Sequence, residues 1–385
     1  MTNTAKKLIL SIDDDAATRK YFKTILEENN YKVIEAANAQ TGIEVFKKEN
    51  PDLILLDLRM PGMGGLEALK HFTENYPDTP VIVASATDSI DDVVESLRIG
   101  AWDFVLKPMH SYNILLHQTQ KVLERATLRK QNAEYQDLLL EAVNKLKKEL
   151  ESGKNIQMKL LPQPRVQFGE YRFESLVLPS LYLSGDFVDY FKVDDNFSVF
   201  YVADISGHGV SSALVTVFLK GFMNSAKEEF NQKRNKYILE PAKLLTDLNN
   251  ELLKENFEKF STLFYGVIDH RKNVLTYCNA GHYPSPVISS NGKPKTLEAA
   301  DIPVGISSDA QYKAKKLSLS KKINLTFFSD GILDILPQDK LDKKIKFLKG
   351  LCGPDKSDLD YFISSLKENA SGLPDDITFL AIERE

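Results

Sequence analysis

The sequence predicts an α/β protein with two unlike halves. A doubly wound, parallel five-stranded domain comes first and an α-β-β-α layered domain second, joined by a helical, coiled-coil connector. Three observations carry this expectation. Over residues 7–125, short β-rich apolar runs alternate with amphipathic helical stretches. From residue 113 there is no glycine before Gly153 and no proline before Pro162. From Tyr171 onward, β-rich runs come in pairs separated by turns, with longer helical stretches set apart. The boundaries expected from these shifts are 1–125, 126–158 and 159–385.

In the first domain the apolar runs are Leu8-Ile12, Val33-Ala36, Leu53-Leu56, Val81-Ala84 and Phe104-Leu106. Helical patterns at 18–28, 41–48, 66–74 and 90–99 separate them. Continuous apolar strands alternating with helices indicate a parallel sheet covered on both faces. Asp13-Asp14, Asp57, Ser85 and Lys107 then fall at the carboxyl ends of separate strands, which border one crevice in such a sheet. Asp13 and Asp14 suit one Mg²⁺, which takes few protein ligands and keeps several waters. Asp57 is placed as a nucleophile that forms an aspartyl-phosphate. Lys107 offers a point positive charge to phosphoryl oxygens, and Ser85 a hydroxyl. Taken singly, each has a plainer role, as a helix cap or an exposed turn.

The connector is rich in Leu, Glu, Lys, Gln and Ala. Leu139, Val143, Leu146 and Leu150 follow the 4-3-4 spacing of a heptad seam, and Leu128 and Tyr135 extend it only across a stutter. This fits either a homodimeric coiled coil or a single helix packed on a domain.

In the last domain, acids are read as each coming just after an apolar run, in Ser184-Gly185-Asp186-Phe187, Ala203-Asp204-Ile205-Ser206-Gly207-His208-Gly209, Phe328-Ser329-Asp330-Gly331 and Pro374-Asp375-Asp376-Ile377-Thr378. Each is expected to end a strand on a tight turn. Carboxylates suit hard divalent cations, and nothing resembles a zinc cluster. Two cations about 3.5–4 Å apart make a centre for phosphate-ester hydrolysis. His208, between two glycines, fits either a turn seating the next helix or acid/base chemistry. His282 reads as packing rather than as a ligand.

Composition narrows the alternatives. Of 385 residues, 43% are hydrophobic and 27% charged, an ordinary globular balance, and the length favours more than one core. A net charge of −5 opposes nucleic-acid binding, and no basic recognition helix is apparent. Cys278 and Cys352 make no disulfide framework. No stretch approaches the ~20 apolar residues of a membrane span, and the N-terminus lacks a signal pattern, so a cytoplasmic protein with no membrane partner is expected.

Two resemblances follow from these motifs. Residues 7–125 resemble a response-regulator receiver domain, through Ile12-Asp13-Asp14-Asp15, Leu56-Asp57-Leu58-Arg59-Met60-Pro61-Gly62, Ser85-Ala86 and Phe104-Val105-Leu106-Lys107-Pro108. The likeness implies that a histidine kinase phosphorylates Asp57, that the Arg59 carbonyl completes the Mg²⁺ site, and that Phe104 is the aromatic switch. It also implies a cis Lys107-Pro108 peptide. Residues 156–385 resemble the PPM (PP2C-like) serine/threonine phosphatases of the branch acting in sigma-factor partner switching (the SpoIIE/RsbU type). Besides the acidic segments, Thr262-Leu263-Phe264-Tyr265-Gly266, Asn279-Ala280-Gly281-His282 and Pro303-Val304-Gly305-Ile306 carry the match. This likeness implies two Mn²⁺ or Mg²⁺ ions held by Asp186, Asp204, Asp330 and Asp375 with the Ile205 carbonyl, Asp376 substituting or standing behind. It implies a phosphorylated anti-anti-sigma factor as substrate. Residues 179–191 also resemble receiver-phosphatase proteins related to the adaptor that delivers the stationary-phase sigma factor to a protease. The alternative is thus an adaptor that binds the sigma factor without catalysis.

Overall fold

The computed structural model describes residues 6–86, 90–107, 112–290, 293–298, 301–352, 357–368 and 372–384. The chain divides into two compact units, Met1–Asn144 and Lys145–Glu385.

The first unit alternates strands and helices: β1 (Leu8–Ile12), α1 (Ala16–Glu28), β2 (Lys32–Ala36), α2 (Ala39–Glu49), β3 (Leu53–Asp57), α3 (Gly65–Asn75), β4 (Val81–Ala86), α4 (Ile90–Ile99) and β5 (Asp103–Lys107). All five strands are parallel in the order β2-β1-β3-β4-β5. Central β3 is buried at every position, which is why it reads as an uninterrupted apolar run. One face packs Leu10, Ile54 and Val83 against Phe46 of α2 and Phe72 of α3. The other packs Ile9, Leu55 and Val105 against Phe22 and Leu26 of α1. Helix α1 starts where the Asp15 carboxylate accepts from the Ala17 and Thr18 amides.

Helix α5 runs without a break from Tyr112 to Leu160. Neither 125/126 nor 158/159 therefore falls at a helix end. Its first turns bury Leu115, Val122 and Leu123 in the first unit, and near its end Gln157 is buried in the second. Between them Leu128, Tyr135, Leu139, Val143 and Leu146 stand exposed.

The second unit contains β6 (Arg165–Phe168), β7 (Tyr171–Leu178), β8 (Asp186–Lys192), β9 (Phe197–Ile205), α6 (Val210–Asn231), α7 (Pro241–Glu255), β10 (Ser261–Asp269), β11 (Val274–Ala280), β12 (Val287–Ser290), β13 (Lys293–Thr296), β14 (Lys315–Ser318), β15 (Ile323–Phe328), α8 (Ile332–Ile335), α9 (Leu341–Leu351), α10 (Ser357–Glu368) and β16 (Ile377–Arg384). A five-stranded sheet, β14-β11-β10-β9-β8, faces a six-stranded one, β13-β12-β15-β16-β7-β6. Phe173, Phe200, Phe264, Phe327 and Leu380 fill the space between them. Gly266 is needed there, since a Cβ on it would lie 2.4 Å from the Phe200 ring. Helices α6 and α7 cover the five-stranded sheet through Leu219, Met223, Leu244 and Leu248. Helices α8 to α10 cover the other through Ile332, Leu348 and Ile363. This is the α-β-β-α layering expected from the sequence.

One buried ion pair fastens α6 to the sheet. Lys220 Nζ lies 2.6 Å from Asp189 Oδ2, and the Tyr201 hydroxyl donates to the same oxygen at 3.3 Å. Burial alone pushes the Asp189 carboxyl upward, and Lys220 opposes that shift. Lys220→Met is expected to destabilise the second unit by about 3 kcal/mol, because it leaves a buried charge without its partner. Denaturant melts of wild type and variant check this; superimposable melts would contradict it.

Candidate active site and phosphoacceptor site

At the carboxyl edge of the parallel sheet, Asp13 and Asp57 are buried while Asp14 is exposed. One oxygen from each of the three lies within 4.8 Å of the others. Among the described residues this is the only such cluster of three or more possible ligands. Lys107 Nζ bridges Asp13 Oδ2 at 2.6 Å and Asp57 Oδ2 at 3.1 Å. Burial raises the Asp57 carboxyl above its ordinary value, the Lys107 charge opposes this, and the Asp13 charge adds to it. The Arg59 amide donates to Asp57 Oδ1 at 3.3 Å, so the loop after β3 folds back over the carboxylate. Gly65 lets that loop close: a Cβ there would sit 2.2 Å from the Asp57 carbonyl oxygen. Ser85 is fully buried at the end of β4, and Phe104 of β5 is half-buried against the sheet core. Pro108 lies outside the described residues, and with it the expected cis Lys107-Pro108 peptide.

In the second unit, the four acids converge from both sheets. Asp186 and Asp204 face each other directly in the antiparallel register of β8 and β9. Asp330 follows β15 and Asp375 precedes β16, and those strands are antiparallel neighbours. The expectation that each acid ends a strand is therefore corrected, because Asp186 opens β8 and Asp375 stands before β16. Antiparallel pairing places the start of one strand beside the end of its neighbour, so all four still reach one edge.

The electrostatics are those of crowded anions. Burial first, then the charges of Asp330, Asp375 and Asp376, push Asp204 up to about 7. Among the described residues, no basic group offsets that rise. Burial and the Asp204 charge likewise drive Asp186 well above the carboxylate range, opposed only in part by the Ser329 and Thr378 hydroxyls. Burial and Asp375 raise Asp330. Asp186 Oδ2 is buried and accepts no hydrogen bond. Ionising a carboxyl whose oxygen is buried without a donor, among like charges, is costly, and a bound cation would offset that cost.

Asp376 is placed differently from its neighbour. Its Oδ1 accepts from the Ser180 amide at 2.7 Å and the Ser180 hydroxyl at 2.9 Å. Its Oδ2 accepts from the Ser184 hydroxyl at 2.9 Å and the Gly185 amide at 2.7 Å. Of the two roles expected for Asp376, substituting as a ligand or standing behind one, this geometry favours the second: both oxygens are engaged in holding the segment that presents Asp186. Ser329 supports the same turn, accepting from the Thr378 amide at 2.8 Å. Gly331 permits the approach, since a Cβ on it would fall 2.1 Å from the Asp376 carbonyl oxygen. Gly185 similarly passes close to the Ile205 carbonyl, 3.0 Å from where its Cβ would be.

Sequence reasoning passed over Gln157. Its side-chain amide donates to the Ser184 carbonyl at 2.7 Å and to the Thr216 hydroxyl at 3.1 Å, while its oxygen accepts from the Ser184 amide at 3.0 Å. The last turns of α5 thus grip the residue beside Gly185-Asp186. Nothing in a helix rich in Lys, Glu and Gln marks one glutamine as buried. His208 is exposed on its turn. His282 is fully buried, and burial lowers it to about 4, in keeping with packing.

Without bound cations, Asp204 binds its proton in the fold up to about 7 but unfolded only to about the ordinary 3.8. Between those values the folded state holds the extra proton, so stability is greatest on the acid side and falls as pH rises toward 7. Asp204→Asn is expected to stabilise the chelator-treated chain by about 1–3 kcal/mol at about pH 8. Thermal melts at about pH 5 and about pH 8 check this; equal melts at the higher pH would contradict it.

Comparison with known proteins gives this geometry its relatives. Residues 9–118 match the model of the response regulator receiver domain, and residues 194–385 match that of stage II sporulation protein E (SpoIIE). The chemotaxis protein CheY of Thermotoga maritima is 34% identical over 110 residues, covering 28% of this chain and 92% of that protein. The phosphoserine phosphatase RsbP of Bacillus subtilis is 30% identical over 193 residues, 49% of this chain and 46% of RsbP, so the match spans less than half of that relative. The Regulator of RpoS of Escherichia coli is 25% identical over 275 residues, 71% of this chain and 81% of that protein. Among solved structures, the SiaA-PP2C domain of Pseudomonas aeruginosa superposes with a TM-score of 0.53 at 22% identity, covering 63% of this chain and 99% of that domain, a likeness of fold. The chain belongs to the response regulators, with an N-terminal receiver domain and a C-terminal PP2C-like domain of the SpoIIE family.

Proposed function

We propose that this chain is a protein serine/threonine phosphatase whose activity is set by phosphorylation of Asp57. The observation that carries the reading is the convergence of Asp186, Asp204, Asp330 and Asp375 from two sheets, with Asp204 raised to about 7 and Asp186 Oδ2 left without a donor. In this reading those four carboxylates and the Ile205 carbonyl hold two Mn²⁺ or Mg²⁺ ions. When bound, such cations neutralise phosphoryl charge and make a water acidic enough to serve as nucleophile near neutral pH. The protein's own part is positional. Asp376 fixes the Ser184-Gly185-Asp186 segment, the Ser184 hydroxyl accepts from the Asp186 amide at 3.1 Å, and Gln157 ties that segment to α5. Among the described residues, the acids of the second site do not meet within 4.8 Å as one set of three, as Asp13, Asp14 and Asp57 do.

In the receiver, Asp13, Asp14, Asp57 and the Arg59 carbonyl hold one Mg²⁺. The Asp57 carboxylate attacks the phosphorus of a kinase phosphohistidine, the P–N bond breaks, and the leaving imidazole takes up a proton. Lys107 then follows the new phosphoryl charge away from Asp13, and the Ser85 hydroxyl donates to it. Phe104 passes the change on through packing alone, since it has no hydroxyl. The exposed stripe Leu128, Tyr135, Leu139, Val143 and Leu146 suits a second copy of α5, so the working form is a homodimer. Trp102 beside β5 lies under Arg125 and Arg129 of α5, at 5.1 and 5.7 Å, and so couples the receiver to the connector. The similarity to the phosphoserine phosphatase RsbP supports a phosphoserine protein as substrate, which the motif resemblance narrows to a phosphorylated anti-anti-sigma factor.

A second reading is favoured by the similarity to the Regulator of RpoS, which extends over receiver and C-terminal domain together. In it the chain binds a sigma factor as an adaptor. Retention of all four acids favours catalysis.

Phosphate release from a phosphoserine protein is expected to require Mn²⁺ or Mg²⁺ and to fall at least about a hundredfold in Asp204→Asn and in Asp330→Asn. Undiminished release in both variants would contradict the site; sigma-factor binding without any turnover would favour the adaptor. A phosphodonor is expected to change both the rate and the fluorescence of Trp102, the chain's one tryptophan. Asp57→Ala should abolish both changes, and a response surviving in Asp57→Ala would contradict the switch.

A further inference from the structure

Beside the acidic edge lies a pocket of about 370 Å³ that the chemistry above leaves unused. It opens between the end of α7 and the turn at Gly305-Ile306, and is lined by Leu252, Leu253, Phe257, Phe260 and Ile306, with Lys259 and Glu258 among its polar groups. Its volume is in the range of ordinary small-ligand sites and is large enough for one or two side chains. Phe257, Phe260 and Ile306 expose 38%, 42% and 50% of their surface there, a cluster of large apolar groups left open to water.

The pocket wall is bonded to the segment that carries Asp204. The Ser206 amide donates to the Phe260 carbonyl at 2.8 Å, and the Phe260 amide donates to the Ser206 hydroxyl at 3.1 Å. Lys259 Nζ donates to the Ser206 carbonyl at 2.8 Å. It also lies over Gly207, where a Cβ would come within 2.9 Å of it. The ammonium has three donors, so this single bond leaves capacity for an anion. A cation in the wall of the apolar pocket is thus bonded two residues along the chain from Asp204.

We propose that this pocket selects the substrate: it takes one leucine- or phenylalanine-sized side chain near the phosphoserine of a protein segment, while Lys259 attracts the phosphoryl dianion. The inference rests on the phosphatase reading and adds to it a basis for choosing among phosphoproteins. A metal-coordinated edge treats all phosphoserines alike, whereas an apolar anchor a few residues away distinguishes them. Apolar burial of a leucine-sized group corresponds to roughly tenfold or more in affinity. Lys259 acts on every phosphorylated segment, and Ile306 only on those with the anchor.

The test uses the full chain and fluorescent phosphoserine peptides in which a single leucine is walked, one position at a time, through an Ala/Gly background. Binding is read by anisotropy in chelator, where no hydrolysis interferes, and phosphate release is read separately with Mn²⁺. The expected result is one leucine position that raises affinity about tenfold in wild type. That preference should shrink to about twofold or less in Ile306→Gln. Ile306 is half-exposed, so this change does not threaten the fold. Lys259→Gln should weaken all phosphorylated peptides alike while keeping the leucine preference, and the unphosphorylated peptides should bind it as they bind wild type. Flat affinities across the walk, or a preference that survives Ile306→Gln, would overturn the pocket. Brisk release with flat binding removes this inference alone, whereas a clear leucine preference with no release from any peptide removes the phosphatase reading alone.

Discussion

The second unit depends on one interaction above others, the four-donor clasp around the Asp376 carboxylate. Asp376 belongs to the turn before β16 in the six-stranded sheet, and Gly185 precedes β8 in the five-stranded one. Each sheet alone presents only two of the four acids. The clasp fixes the crossing from β7 to β8 and so sets the spacing between the Asp186/Asp204 pair and the Asp330/Asp375 pair. It is also what makes the crowding sustainable. A carboxylate with four hydrogen bonds is well satisfied, whereas burial and the Asp204 charge raise Asp186, and burial with the charges of Asp330, Asp375 and Asp376 raises Asp204. The fold thus stores like charge at one edge, and binding of cations there would relieve it.

The receiver solves the same problem on a smaller scale and with its own cation. Lys107 lies between Asp13 and Asp57, so the two buried carboxylates are partly neutralised before any metal or phosphate arrives. Among the described residues, no such internal counter-ion acts on Asp204. The difference fits the two chemistries of the proposed function: a carboxylate that becomes phosphorylated, and carboxylates that serve only as ligands. The long helix α5 buries apolar residues at its first turns and Gln157 near its end. A change in its pairing or docking would therefore be felt at Ser184, one residue from Gly185.

The front domain was legible because its signals are local. Strand β3 is apolar throughout, and the residues at the strand ends are of types that sheet geometry gathers at one edge. The absence of glycine and proline before Gly153 marked a helix, although not that it is continuous with the helix covering the receiver. That Asp186, Asp204, Asp330 and Asp375 lie at or next to strand ends was legible from glycine and acid next to apolar runs. Which ones open strands and which follow them was not, because antiparallel pairing makes the two equivalent. Asp375 and Asp376 are alike in local sequence, and only the tertiary donors Ser180, Ser184 and Gly185 separate their roles. Gln157 and Lys259 were missed for the same reason, as polar residues whose partners lie far along the chain or around a turn.

The proposed phosphatase activity requires two ions side by side, rather than one or none, where the sheet edges meet. Low-temperature electron paramagnetic resonance of the manganese-loaded chain examines this directly, since neighbouring manganese ions couple magnetically and isolated ones do not. The account predicts a coupled-pair spectrum in wild type that is lost in Asp204→Asn, over the isolated-ion signal of the receiver. A spectrum of isolated ions alone at saturating manganese would contradict it.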